Sequence, residues 1–205
     1  MKVLFCFILI LGSVVNIFAE PPKASNQSPL IFDIHQQEYT FSTVFDLRSN
    51  NAFLGSVVKS AFRIRTNYDL YDPNGKFEGL GICRILTLGV IYAWGTEIDI
   101  YDHNDNYVGM IDGQVMTGTK AKFSIYDSQK NRIAIAYLDL TCSAYTIVDP
   151  DNESHHLASL KRNFIKDMID YWTVSVYEED AMDALTIKVF AAFAIDSQEK
   201  FKKDN

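Results

Sequence analysis

The sequence carries none of the short signatures of common catalytic machinery. It has no G-x-S-x-G elbow, no H-E-x-x-H pair, no phosphate-cradling glycine loop and no dinucleotide fingerprint. Cysteine is scarce, at three residues, and no Cys/His set has zinc-ligand spacing, which argues against a structural metal. With five prolines and ten glycines, the chain is far from collagen-like or low-complexity composition. After the N-terminus no run is apolar enough to cross a bilayer as a helix, which takes about 20 residues. Basic residues are outnumbered, 19 against 26 acidic ones, for a net charge of −7. That deficit argues against nonspecific nucleic-acid binding and against broad adhesion to anionic lipid, since both need a basic surface.

What is present fits one globular domain: 205 residues, 48% hydrophobic and 13% aromatic. The first 19 residues read as a cleaved signal peptide. Lys2 supplies the charged start, Val3 to Val15 the apolar core, and Ala19 follows Ile17 at a spacing that signal peptidase accepts, before Glu20-Pro21-Pro22. The alternative is an uncleaved anchor, for which the apolar stretch is short. The mature chain is therefore expected to be secreted or periplasmic, with no transmembrane span. Removing residues 1–19 takes away Lys2 and no acid, leaving 18 basic and 26 acidic residues, or −8. It also removes Cys6. Cys83 and Cys142 remain and form a disulfide candidate in an oxidising compartment, with two buried thiols as the alternative.

Residues 20–30 have Pro, Ser, Asn and Gln and no apolar period, and read as a flexible leader. From Ile31 a unit recurs: Tyr68-Asp69-Leu70-Tyr71-Asp72, Ile98-Asp99-Ile100-Tyr101-Asp102, Phe123-Ser124-Ile125-Tyr126-Asp127 and Tyr145-Thr146-Ile147-Val148-Asp149. Large apolar residues stand four and two before each Asp, so one face of a strand is buried. Each Asp opens a polar turn, because Asp and Asn side chains bond to nearby amides. A small residue follows seven after the Asp at Gly79, Gly109 and Ala134, whereas the fourth unit has His156 there. Phe45 to Gly55 looks like an earlier copy with a longer turn. Each unit predicts a β-hairpin, and the series predicts an antiparallel all-β domain.

Near the C-terminus, Tyr171–Val176 alternates as a strand. Glu178-Glu179-Asp180 then precedes a stretch from Ala181 to Ile195 that is apolar nearly all round from Leu185 onward. A helix of that kind has to be enclosed by protein. Hairpins followed by such a helix predict a barrel with the helix threaded through its middle. Residues 197–205 read as a polar tail.

The tandem I-D-I-Y-D-x4-Y-V-G-x-I and F-S-I-Y-D-x5-I-A-I units, with Tyr171–Val176 and the following apolar stretch, resemble the LURP-one-related and tubby-like group, which includes phospholipid scramblases. The resemblance covers about residues 31–196. It implies a mainly β fold, a closed antiparallel barrel of about twelve strands around a buried hydrophobic C-terminal helix. Most relatives are cytoplasmic, so the signal sequence is a departure.

Two ligand chemistries follow from this resemblance. Scramblase-like relatives are linked to calcium, and Asp102, Asp105, Asp149, Asp151 and Glu153 are the candidate metal ligands. Asp102-His103-Asn104-Asp105-Asn106 starts like a calcium loop, but Tyr107 stands where Gly is needed and Gly113 where Glu is needed. Turn formation is the favoured reading of these residues, since Asp and Asn so commonly build turns. Tubby proteins bind phosphoinositides, for which Arg63 and Arg65, on a strand leading to Tyr68, are the candidates. His155 and His156 alternate on a strand and cannot share one metal. Gathered at one end, the Asp-led turns make an acidic rim, where weak calcium or basic-peptide binding is expected over phosphoinositide binding. Asn26-Gln27-Ser28 and Asn152-Glu153-Ser154 have the form of glycosylation acceptors. The function expected is an exported non-enzymatic binding or scaffold domain for a lipid head group, calcium, or a basic peptide or protein. The alternative is an exported hydrolase with an unrecognised carboxylate site.

Overall fold

Alternation decides where the strands turn their side chains. On one strand Tyr145 and Ile147 are fully buried while Thr146 between them is half-exposed; on another Trp172, Val174 and Val176 are buried and Thr173 and Ser175 are not. The computed structural model describes residues 29–60, 62–84, 97–114, 122–139, 141, 143–163 and 171–203. These form twelve strands: β1 Leu30–Tyr39, β2 Ser42–Ser49, β3 Ala52–Ser60, β4 Asn67–Tyr71, β5 Phe77–Cys83, β6 Glu97–Asp102, β7 Tyr107–Gln114, β8 Lys122–Asp127, β9 Arg132–Leu138, β10 Ala144–Val148, β11 His156–Asn163 and β12 Tyr171–Val176. Each pairs antiparallel with its sequence neighbours, and β1 closes on β12, with Phe32 opposite Val174 and Ile34 opposite Trp172. Closure leaves no free sheet edge. The mainly β, closed barrel of about twelve strands that the resemblance implied is the fold observed.

The repeat has a geometric meaning that its letters only hint at. In every unit the strand register slips between the residue two before the Asp and the next one: Leu70/Tyr71, Ile100/Tyr101, Ile125/Tyr126 and Ile147/Val148. These are β-bulges, which bend and twist a strand as closure requires. The small residue lies opposite the apolar one, as Gly79 to Leu70, Gly109 to Ile100 and Ala134 to Ile125. A Cβ on Gly109 would stand 2.3 Å from the Tyr126 carbonyl oxygen of the next strand, which is why the position is small. In the fourth unit the small residue is displaced rather than lost. Its turn is longer, the Asp149 N–H reaching the His155 carbonyl at 3.0 Å, and Ala158 takes the place opposite Ile147. The copy on β2–β3 has a shorter turn than expected, not a longer one. Ser49 pairs with Ala52 across Asn50 and Asn51, which have φ of 49° and 66°, as a two-residue hairpin turn needs.

The barrel wraps around α1, Ala184–Lys203. Its side chains at Val189, Phe190, Ala191, Ala192 and Ala194 are fully buried. Phe190 packs edge-on against Phe123 and Tyr145, at ring-centroid distances of 5.8 and 5.5 Å. The helix starts three residues later than expected. Glu179–Ala181 form a short 3-10 turn, and the Asp183 carboxylate caps the helix by accepting the Leu185 N–H at 2.8 Å. It also runs on through the segment read as a polar tail: Asp196 is held by Lys59 and Tyr68, and Ser197 is buried beside it.

Candidate functional site

Antiparallel order sends the connections after even-numbered strands to one end of the barrel and those after odd-numbered strands to the other. β12 finishes at the first end, so α1 enters there and leaves through the second. The Asp-led turns therefore do gather at one end, the entry end.

At the entry end the carboxylates are occupied by their own turns. One oxygen of Asp102 accepts the N–H groups of Asn104 and Asn106, both at 2.8 Å, and the other accepts the Asn106 amide at 2.9 Å. Asp72 and Asp127 repeat the pattern with the residues two and four ahead. Asp149 accepts the N–H of Asp151 at 2.8 Å. These hydrogen bonds hold the carboxyls of Asp72, Asp102, Asp127 and Asp149 below the usual carboxylate range. Asp105 occupies the left-handed position of its turn, φ 62°, where Gly75 and Lys130 stand in the neighbouring hairpins. Glu153 accepts the Tyr137 hydroxyl at 2.7 Å. Asp102 and Asp105 are separated from Asp149, Asp151 and Glu153 by the β8–β9 hairpin, so the barrel does not bring the five together as one ligand set. Among the described residues no three Asp, Glu, His or Cys side chains are placed to hold a metal ion.

His155, one of the adjacent histidines, serves structure at this end. Its Nε2 lies 2.6 Å from Glu178 just past β12, and its Nδ1 3.5 Å from Asp149. The Glu178 hydrogen bond, then Asp149, raises its pKa. The pair fastens the β10–β11 turn to the segment that leads into α1.

The exit end differs in chemistry. Asp196, on the last buried turn of α1, meets Lys59 Nζ at 2.5 Å and accepts the Tyr68 hydroxyl at 3.1 Å. Burial pushes the Tyr68 phenol well above its ordinary value, with Asp196 and Cys83 adding to it. Arg63 and Arg65 lie in the bend between β3 and β4, not on a strand, because pairing resumes only at Asn67. The two arginines part company. Arg63 folds back onto Asp69 at 2.7 Å, while Arg65 is exposed. Burial raises the Asp69 carboxyl above the usual range and Arg63 pulls it back. With Arg63 so engaged, Phe62 and Ile64 point outward, 75% and 99% exposed. Phe62 packs at a tilt against Phe41 of the β1–β2 connection, ring centroids 4.8 Å apart, and Phe41 and Tyr39 are themselves exposed. The sequence reading missed this apolar tip; the spacing Phe62-x-Ile64 was its signal.

Cys83 is half-buried on β5. No disulfide is seen among the described residues, and Cys142 lies outside them, as do the expected signal peptide, Asn26 and most of the leader. An open groove of about 650 Å³ runs along the outer wall beside His35, Gln37, Tyr39 and Arg48. No helix among the described residues is long and apolar enough to cross a membrane.

The sequence matches no protein-family model and no curated protein. Among solved structures it is similar to the X-ray structure of a protein from Arabidopsis thaliana, AT5G01750, at 9% identity and a TM-score of 0.51, over 82% of this chain and 90% of that one. At that identity the likeness is one of fold alone.

Proposed function

We propose that this chain is an exported, non-enzymatic binding or scaffold domain of the tubby-like, LURP-one-related type. One observation carries the reading: the barrel's interior is a packed core around α1, so the surface left for recognition is at its ends and outer wall. The distant structural likeness fits that barrel type. The two buried carboxylates among the described residues, Asp69 and Asp196, each face a cation, Arg63 and Lys59, instead of a second carboxylate. That arrangement favours structure over acid–base chemistry. The full chain should show no turnover on ester, glycoside or phosphoester panels; turnover abolished by Asp196→Asn would replace this reading with a hydrolase.

Export through residues 1–19 is part of the proposal, and so is a Cys83–Cys142 bond. Protein recovered from the medium should begin at Glu20 and resist alkylation until reduced. Two thiols alkylated without reduction would reject the bond. At the acidic entry end, weak calcium or basic-peptide binding is the subordinate proposal. Calcium should raise the melting temperature if it binds the folded state, and an unchanged melting temperature would remove calcium from the account.

A further inference from the structure

The exit end presents an apolar tip that the fold has no internal use for. Ile64 is 99% exposed and Phe62 75%, while Phe41 and Tyr39 on the adjacent connection are 58% and 57% exposed. The tip is held in shape from within the chain. Arg63, between Phe62 and Ile64, folds back onto the buried Asp69 carboxylate at 2.7 Å, and the Phe62 and Phe41 rings lie 4.8 Å apart. At those exposures the four side chains offer about 500 Å² of surface per copy, taking roughly 200 Å² for a large side chain. A lone chain rarely leaves an apolar patch of that size uncovered. We propose that the tip is the contact through which two copies of this chain pair, Ile64 of each packing against the Phe41 and Phe62 rings of the other. That pairing goes beyond the binding-domain reading and holds whether or not the chain is exported.

Area and charge favour a second copy as the occupant. Two such tips in contact cover about 1,000 Å² in total, the size at which specific interfaces begin. The two buried carboxylates near the tip are neutralised inside the chain, Asp196 by Lys59 and Asp69 by Arg63. The Asp-led turns lie at the opposite end, so tip-to-tip pairing keeps the acidic poles of two negatively charged chains far apart. Because the bend is already fixed by the Arg63–Asp69 pair, association orders little that was free before. A contact made by the same patch on both copies is closed by a two-fold axis and stops at a dimer. The pair then carries two outward-facing entry ends, which makes that end bivalent.

Sedimentation of the full chain over a concentration series is the test, with residues 1–19 identical in every variant. Wild type should pass reversibly from monomer to dimer. Added salt should not dissociate that dimer, because the contact is apolar and salt screens the repulsion between two acidic chains. Phe62→Ser/Ile64→Ser and, on the other connection, Phe41→Ser should each dimerise at least tenfold more weakly with the wild-type melting temperature. A wild type still monomeric at about 100 μM would overturn the pairing. So would dimers that neither serine variant weakens, or association that continues past the dimer. If a monomeric wild type is instead retained on phosphatidylcholine–phosphatidylserine vesicles and the serine variants are not, the tip faces a bilayer and the pairing falls.

Discussion

Gly55 and Gly75 both adopt positive φ, 126° and 79°, yet they are held for different reasons. Gly75 is a turn residue with nothing within 4 Å of a would-be Cβ, so only backbone conformation constrains it. At Gly55 the added carbon would stand 2.3 Å from the Tyr71 carbonyl oxygen of the next strand. Gly75→Ala should therefore cost about 1 kcal/mol, and Gly55→Ala about 2–4 kcal/mol because backbone strain and overpacking combine. Urea denaturation of the two variants checks the order, and a Gly55→Ala cost no larger than that of Gly75→Ala would contradict the close approach to Tyr71. Arg63 shows the limit of reading single residues from sequence. Its alternation with Arg65 fits a strand face, but Asp69 lies six residues away across a bend, and only folding brings the two to 2.7 Å. The Asp residues were more legible, since an Asx turn is closed by amides two and four ahead in the same short segment.

At the scale of elements, hairpins were readable because period-two burial and turn chemistry are local. Bulges were not, because a register slip is a relation between two strands; the sequence left only the small residue as its trace. The helix was legible in its apolar centre but not at its ends. Its start depends on the Asp183 cap, and its continuation depends on Lys59 and Tyr68 from distant strands receiving Asp196. The entry-end fastening gives a pH prediction. His155 gains Glu178 and then Asp149 on folding, so its folded pKa is raised. Its contribution is fully present below the unfolded value of about 6.5 and is lost as pH rises through the folded value. The turn carboxylates behave oppositely. Held low by turn hydrogen bonds, they contribute above about 3.9, and the contribution is lost as pH falls through their folded values. Melting temperatures of His155→Gln should lack the wild-type decline through neutral and mildly alkaline pH while keeping the acid limb. A wild-type decline persisting in the variant would assign it to another group.

For the whole molecule, what mattered was an apolar helix with no face for solvent, placed after a run of hairpins. That combination pointed to a barrel around a helix, and hairpin order already put the Asp-led turns at one end; the ion pairs at the other end, Lys59 with Asp196 and Arg63 with Asp69, emerged only from the fold. Phe190, fully buried among Phe123, Tyr145 and neighbouring aromatic rings, is the centre of this packing. Phe190→Asp would place an unpaired charge there and should abolish cooperative thermal unfolding and near-ultraviolet circular dichroism. Phe190→Ala, by cavity formation, should cost about 3–5 kcal/mol. Wild-type stability in either variant would contradict the packing described.

The helix α1 is the core on which the barrel closes. Native-state hydrogen exchange measures this directly. The amides from Val189 to Ala194 should exchange only through global unfolding, with free energies equal to those of the slowest strand amides. Exchange of those helix amides at markedly lower free energy than the strands would show instead a helix that leaves the barrel without unfolding it, and so is not its core.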